Sequence, residues 1–241
     1  MNVLAIDSTG HYSSVGIFEI IESKVTLKFK NSNFTRENKN CSISDLINSI
    51  AYKYKIKKLN LIAISTGPGS FTKIRSSISY AKGLSMGLGI PIVGINSINK
   101  LFSLCRDVKG KEEGLLVTCD TFRNLVFASI YKDKKKLNIY EDVKILSISE
   151  VKNIEGIEVF KKLIVVGDAS YSVIEDLLNN GFKISNKFNN YISYGELGLK
   201  SLVKLAIEIK GKNNNFDQQP DYLTEPITNL SKTRGKSNFG Y

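Results

Sequence analysis

The sequence predicts an α/β protein built as two similar lobes, and three observations predict it. Short apolar runs that read as buried strands alternate with segments whose apolar residues recur at helical spacing. One such strand, Leu61-Ile62-Ala63-Ile64, passes into a long helix through Ser65-Thr66-Gly67-Pro68-Gly69-Ser70-Phe71-Thr72, a corner that glycine and proline make far more readily than other residues. The order of elements in the first half then returns, more loosely, in the second.

Asn2-Val3-Leu4-Ala5-Ile6 and Ser13-Ser14-Val15-Gly16-Ile17-Phe18 read as a hairpin around the turn Asp7-Ser8-Thr9-Gly10, the opening of two or three strands. Ile43, Leu46, Ile47, Ile50, Ala51 and Tyr54 fall on one helical face, with Ser42 placed as cap and Asp45 three residues on, the spacing of a capping box. The strand at 61–65 leads through the corner into a helix over about 70–88. A buried strand at 90–95 and a short helix near 97–105 complete the first lobe. The second half offers Leu115-Leu116-Val117-Thr118-Cys119 ending at Asp120, a strand from Leu125 to Tyr131, a lysine turn, and a strand near 137–140. A buried strand at 163–168, helices near 171–180 and 195–210, and a Gly211-Lys212-Asn213-Asn214-Asn215 linker follow. Domain bounds are expected at 1–105, 106–211 and 212–241, the last a C-terminal segment whose basic end frays beyond Tyr222.

Composition narrows the function classes. The chain has 241 residues, 42% of them hydrophobic and none in an apolar run of membrane-spanning length, which indicates a soluble globular protein. The N-terminus enters a strand directly, and Cys41, Cys105 and Cys119 are odd in number and widely spaced, so a reducing cytoplasm is the expected compartment. One histidine, His11, makes a His/Cys zinc site from this chain alone unexpected, and its place in a turn reads as a solvated side chain rather than a catalytic base. The formal charge of +11 raises the question of nucleic acid. Lys53-Lys55-Lys57-Lys58, Lys132-Lys134-Lys135-Lys136 and Lys232-Arg234-Lys236 are clusters, but the first two lack interleaved stacking aromatics. Lysine and asparagine are abundant throughout, which reads as solvated surface rather than a built groove.

The corner and its helix are the most informative stretch. Gly67 and Gly69 tolerate positive φ and close backbone approach, Pro68 fixes its own φ, and Ser70 or Thr72 is placed to cap the helix. Backbone N–H groups aimed outward from such a corner can hold an anion or dock a partner, and the same geometry also serves as a plain turn. Along the helix, Ile74, Ile78, Ala81, Leu84, Ser85 and Leu88 form the face expected on the sheet. The opposite side carries Ser76, Ser79, Gly83 and Gly87 with Tyr80 beside them, small and uncharged in a chain that otherwise coats itself with lysine. Each glycine inside a helix costs about 1 kcal/mol relative to alanine, so the pair calls for a compensating close approach, by a partner or by the chain's own first helix.

These residues resemble the TsaB (YeaZ) family, the non-catalytic partner in the bacterial machinery that makes threonylcarbamoyladenosine in tRNA. The likeness rests on Leu4-Ala5-Ile6-Asp7-Ser8-Thr9 with Ser13-Ser14-Val15, and on Gly67-Pro68-Gly69-Ser70-Phe71-Thr72 with Arg75, followed by Ala81-Lys82-Gly83-Leu84 and Ile90-Pro91-Ile92-Val93-Gly94-Ile95. It covers roughly residues 2–97 and thins beyond, to Asp120 through Val126, Val166-Gly167 and Pro220-Asp221-Tyr222-Leu223. The resemblance implies the actin-like, Hsp70-like ATPase fold of the ribonuclease H-like kind, with two related lobes, the second degenerate. It implies a scaffold that pairs with a TsaD-like catalytic subunit, is joined by a TsaE-like small ATPase, and meets ANN-decoding tRNA through the complex. It also implies no cofactor in the isolated chain, ATP or ADP at the subunit junction, and self-pairing as a dimer when the chain is alone. Gly67, Pro68, Gly69, Ser70, Phe71, Thr72, Arg75, Ser76, Ser79, Tyr80, Gly83 and Gly87 become the partner-facing set, and Asp7, Ser8, Thr9 and Gly10 a weak nucleotide turn.

The chain departs from the family pattern at Lys73 and Ser77, where glycine is usual, at Asn38, where histidine is usual, and at Thr224, where arginine is common. An active ATPase of this fold needs a second glycine-bearing phosphate loop, and Asp120-Thr121-Phe122-Arg123-Asn124 has no glycine. Gly167-Asp168-Ala169-Ser170 reads as a helix cap rather than an adenosine contact. No catalytic residue and no metal ligand is therefore expected. The alternatives are an active small-molecule kinase or ATPase using Asp7 or Asp120, and a stand-alone RNA-binding protein recognisable by steep salt dependence.

Overall fold

Val3, Leu4, Ala5 and Ile6 are buried on both sides, and they make β1 (Asn2–Asp7) the central strand of a five-stranded sheet. The computed structural model describes residues 1–34, 42–105, 113–121, 124–131, 143–185 and 195–210. Cys41, Asn38, the turn at 132–136, the strand expected near 137–140, Phe122 and Arg123, and everything from Gly211 to Tyr241 lie outside them. β2 (Tyr12–Ile21) pairs antiparallel with β1, with Ala5 opposite Gly16, and β3 (Lys24–Phe34) pairs antiparallel with β2. β4 (Leu61–Gly67) lies parallel to β1 on its other side, and β5 (Ile92–Asn96) parallel to β4. The order is β3-β2-β1-β4-β5. A continuous apolar run such as Leu61–Ile64 belongs in such a place, since helices cover both faces of the parallel strands.

One face of this sheet carries α1 (Ile43–Ala51) and α2 (Phe71–Leu88), which bury Leu46, Ile47, Ile50, Ile74, Ile78 and Ala81 against Leu4, Ile6, Ile62 and Ile64. The expected capping box starts α1: Ser42 Oγ accepts from Asp45 N at 3.2 Å, and Asp45 Oδ2 accepts from Ser42 N at 2.8 Å. α2 ends where Gly89 takes a left-handed φ of 64°. The other face is covered by α5 (Glu196–Lys210), whose Leu199, Leu202, Val203 and Ala206 pack on Val3, Ala5, Leu61 and Ala63. α5 follows the second lobe in sequence yet belongs to the core of the first.

The second sheet repeats the first. β6 (Glu113–Asp120) is flanked by antiparallel β7 (Val126–Tyr131) and parallel β9 (Lys162–Gly167), and β8 (Lys144–Leu146) lies outside β7. The order β8-β7-β6-β9 matches β3-β2-β1-β4 strand for strand. Among the described residues the partner of β5 is reduced to one parallel bridge, Ile184 beside Leu163, closed by Ser185 N donating to Leu163 O at 2.7 Å. α4 (Ser170–Asn179) covers one face through Val173 and Leu177. The other face takes α3 (Ser97–Leu104), a helix that leaves the first sheet and buries Ile98, Leu101 and Phe102 on Leu115, Val117 and Ile164. Thus α3 and α5 each close the opposite lobe, and Ser201 Oγ donates to Lys100 O between them at 3.1 Å. No helix among the described residues is long and apolar enough to cross a membrane.

Candidate functional site

The ends of β1 and β4, and of β6 and β9, come together between the lobes, where His11 meets Asp120. Gly69, with φ 153°, comes so close to the β1–β2 turn that a Cβ there would stand 2.2 Å from Thr9 O. Ser70 N donates to Thr9 O at 2.7 Å, Gly67 and Pro68 are buried, and the Gly67–Pro68 peptide is cis. The Gly-Pro-Gly corner is therefore seated on the chain's own Asp7–Gly10 turn instead of aiming its amides outward. Ser70 occupies the N-cap position of α2 but makes no side-chain cap bond. The second lobe repeats this contact: at Gly167, φ 127°, a Cβ would stand 1.7 Å from Thr118 O. Only glycine leaves room at these two strand ends.

Asp7, Ser8, Thr9 and Gly10 are all buried. Asp7 Oδ1 accepts from Thr9 N at 3.2 Å and from Thr9 Oγ1 at 2.8 Å, while Oδ2 receives the ammonium of Lys100. Both partners of this ion pair are 1% exposed. The pair is fixed from the α3 side: Asn96 Oδ1 caps the helix, accepting from Ile98 N at 2.8 Å and Asn99 N at 3.3 Å, so Lys100 leaves its first turn toward the end of β1. Lys100 was missed by sequence reasoning. The signal was there, because it is the one charged residue in Ser97–Leu104.

The two departures from the family pattern in α2 both touch this turn. Lys73 Nζ donates to Gly10 O at 2.8 Å, and Ser8 Oγ donates to Ser77 Oγ at 2.8 Å, with Ser77 Oγ donating on to Lys73 O at 2.8 Å. Burial holds the Lys73 ammonium below the usual lysine range, and Asp168 and Asp7 push it partly back. Where glycine would leave an opening, these side chains fill it.

His11 is not the solvated turn residue its sequence position suggests. Its Nε2 lies 3.0 Å from Asp120 Oδ2, a contact that joins the end of β6 to the first hairpin across the cleft. Asp120 N in turn donates to Asp168 Oδ1 at 2.7 Å. Asp168 therefore serves the neighbouring strand, and Ala169, at the N-cap of α4, makes no side-chain cap bond. Burial pushes the Cys119 thiol well above its ordinary value, which leaves it unreactive as a nucleophile.

The carboxylates at the cleft are thus engaged: Asp7 with Lys100, Asp120 with His11, Asp168 with the Asp120 amide. Among the described residues no group of three His, Cys, Asp or Glu is placed to hold a metal. Within the β1 turn the side chains of Lys73 and Ser77 bond to Gly10 O and Ser8 Oγ, and Gly69 lies against Thr9 O.

The opposite side of α2 is open. Ser76, Ser79, Gly83 and Gly87 are exposed, and a Cβ built on either glycine meets nothing within 4 Å among the described residues. Met86, 84% exposed, extends this face, and sequence reasoning omitted it. Tyr80 is half-buried with Leu84 and Leu88 toward α1. At the start of the helix Phe71 is 49% exposed and Arg75 Cζ stands 4.1 Å from its ring centroid, with Thr72 exposed beside them. Of the residues expected to face a partner, Phe71, Thr72, Arg75, Ser76, Ser79, Gly83 and Gly87 share this surface, whereas Gly67 and Pro68 are interior.

Two sheets of matching order, joined through exchanged helices around a cleft at their strand ends, define the actin-like class of two-lobed α/β proteins. A model of the family described as TsaD, tRNA N6-adenosine threonylcarbamoyltransferase, matches residues 36–193. The TsaB proteins of two Buchnera aphidicola subspecies, named as tRNA threonylcarbamoyladenosine biosynthesis proteins, are similar to the chain. The one from the Schizaphis graminum symbiont is 37% identical over 101 residues, 41% of this chain and 46% of that protein. The one from the Acyrthosiphon pisum symbiont is 30% identical over 170 residues, 68% of this chain and 71% of that protein. The solved structure of YeaZ from Pseudomonas aeruginosa superposes with a TM-score of 0.62 over 92% of this chain and 99% of that one, at 16% identity, which carries the fold. The chain belongs to the TsaB (YeaZ) family.

Proposed function

We propose that this chain is a non-catalytic scaffold subunit in the cytoplasmic formation of threonylcarbamoyladenosine in tRNA, and that it pairs through α2 with a TsaD-like catalytic subunit. Family membership supports the pathway. The observation that carries the scaffold role is the outer face of α2, where two helical glycines meet nothing within 4 Å among the described residues in spite of the cost of about 1 kcal/mol each. A helical glycine with nothing within 4 Å among the described residues is accounted for by a backbone that approaches in the complex. Phe71 with Arg75 stacked on it is the kind of aromatic and guanidinium pair that concentrates binding energy. The Lys100–Asp7 pair supports the absence of catalysis, because it withholds the one carboxylate set in the first phosphate turn. In this reading ATP or ADP belongs to the junction with the partner rather than to this chain, and a TsaE-like ATPase and the tRNA join the assembled pair.

The test is titration of the purified chain against the TsaD-like subunit of the same cell, with Gly83→Leu/Gly87→Leu alongside. A roughly 1:1 complex that the double variant loses is expected. Undiminished binding by the double variant removes α2 from the interface. Steady magnesium-dependent ATP hydrolysis by the lone chain, abolished by Asp120→Asn, establishes an ATPase instead.

A further inference from the structure

Asp7 is 1% exposed, and a carboxylate so deeply buried must be met by a cation, either a metal ion or a charged side chain. Its two oxygens divide the contacts. Oδ1 shapes the turn, accepting from Thr9 N at 3.2 Å and from Thr9 Oγ1 at 2.8 Å, and Oδ2 is left to the cation. The chain supplies that cation from 93 residues away, as the ammonium of Lys100.

The ammonium is delivered by a fixed arm. α3 starts at the Asn96 cap, and within it the Lys100 carbonyl accepts from Ser103 Oγ at 2.9 Å and from Ser201 Oγ of α5 at 3.1 Å. Ser65 Oγ and Ser97 Oγ, 3.0 Å apart, tie β4 to the first residue of the same helix. A second lysine enters the same region: Lys73 Nζ donates to Gly10 O, within the field of Asp168 and Asp7. The buried Cys119 thiol, next to the end of β6, lies within electrostatic range of Asp168, Lys100, Asp7 and Asp120 together. Among the described residues, then, three carboxylates and two ammoniums gather where β1 and β6 end, with His11 on Asp120. Carboxylates so gathered repel one another, and the two lysines bring the positive charge of one divalent ion.

We propose that the end of β1 is a cation site whose occupant is built into the chain: the ammonium of Lys100 holds the place of a free cation on Asp7 Oδ2, so the turn Asp7–Gly10 keeps its shape without a bound metal ion. A tethered ammonium is present whatever the metal concentration, and α3 sets its position. Removing the lysine therefore opens the site. Lys100→Ser leaves the room of a lysine stem beside Asp7 Oδ2, to be filled by water and a cation that accepts oxygen ligands, such as Mn2+, or by a small alkylammonium. The inference goes beyond the scaffold reading and its test uses the lone chain, so it stands or falls apart from pairing with a TsaD-like subunit.

The experiment follows thermal unfolding of the complete chain at constant ionic strength, with Mn2+ or ethylammonium added, and Mn2+ binding by electron paramagnetic resonance. The wild-type midpoint is expected to be the same with and without about 5 mM of either cation, and no Mn2+ is expected to bind at Asp7. Lys100→Ser is expected to have a lowered midpoint that rises by about 2–4 °C with at least one of the two cations. In Asp7→Asn/Lys100→Ser that rise is expected to be lost. A Lys100→Ser chain that responds to neither cation, whether it folds without them or fails to fold with them, overturns the proposal. A rise of equal size in the double variant overturns it too, since the cation then acts elsewhere. So does a wild-type chain that binds Mn2+ and loses it in Asp7→Asn, because the carboxylate then takes a metal in spite of the lysine.

Discussion

The ammonium of Lys100 sits on the carboxylate of Asp7 with both side chains shut away from water, so the turn after β1 carries its own cation. The carboxylate keeps two further bonds from Thr9, and the pair joins β1 to α3, the helix that closes the other lobe. Removing one member leaves a buried charge without its counter-ion, and such losses run to about 3–5 kcal/mol. Lys100→Met is therefore expected to lower unfolding free energy by about that amount in a urea titration. Asp7→Asn/Lys100→Met, which removes both charges, recovers most of it. A double variant as unstable as the single one would show that packing of the lysine stem, not charge, is what matters.

The two kinds of glycine in this chain predict opposite outcomes. Gly69→Ala puts a Cβ 2.2 Å from Thr9 O at φ 153°, and the neighbour it meets is backbone. Strain at such a position is expected to destabilise the fold by more than about 2 kcal/mol, and Gly167→Ala against Thr118 O likewise. Gly83→Ala and Gly87→Ala meet no atom within 4 Å among the described residues and fill helical positions. Each is expected to raise the midpoint of thermal unfolding of the lone chain, by up to about 1 kcal/mol of stability, while weakening partner binding.

Much of this was legible from local pattern. The capping box at Ser42 and Asp45, the inner face of α2 at Ile74, Ile78 and Ala81, and the smooth outer face at Ser76, Ser79, Gly83 and Gly87 follow from spacing, because a helix brings residues three and four apart together. The second lobe was legible as a repeat of β1, β2 and β4. What pattern could not supply were contacts between distant positions. His11 and Asp120 lie 109 residues apart, and nothing local marks either as the other's partner. Lys100 reads as surface because lysine is so rarely interior. The corner's orientation was missed for the same reason: that Gly69 abuts Thr9, and not a ligand, depends on how β4 registers beside β1.

The His11–Asp120 contact is partly exposed, with side chains 18% and 25% accessible, so its removal is expected to change global stability by no more than about 1 kcal/mol. Its effect lies in how the lobes are held. His11→Ala is expected to speed hydrogen exchange in the β1–β2 turn and at the end of β6, with exchange in the middle of β1 and β4 unchanged. Uniform acceleration across the first sheet would mean that the histidine supports the hairpin itself rather than a link between lobes.

Lys73 gives the alkaline side of the stability profile its sign. Burial, the largest influence, lowers its affinity for a proton in the folded chain below the ordinary lysine value of 10.5, with Asp168 and Asp7 restoring part of it. The unfolded chain therefore binds the proton more tightly, and between the two values unfolding takes up a proton. Stability owed to this group rises with pH through that window and is flat below it, the reverse of a surface lysine paired with a carboxylate. Urea midpoints of wild type and Lys73→Met, compared from pH 7 to about pH 10, are expected to converge or cross in favour of wild type as pH rises. Its hydrogen bond to Gly10 O persists with a neutral amine as donor, which is why losing the charge relieves the burial cost without opening the turn. A gap between the two proteins that widens against wild type at high pH would mean that Lys73 is held in the cleft by its charge on Asp168 and Asp7.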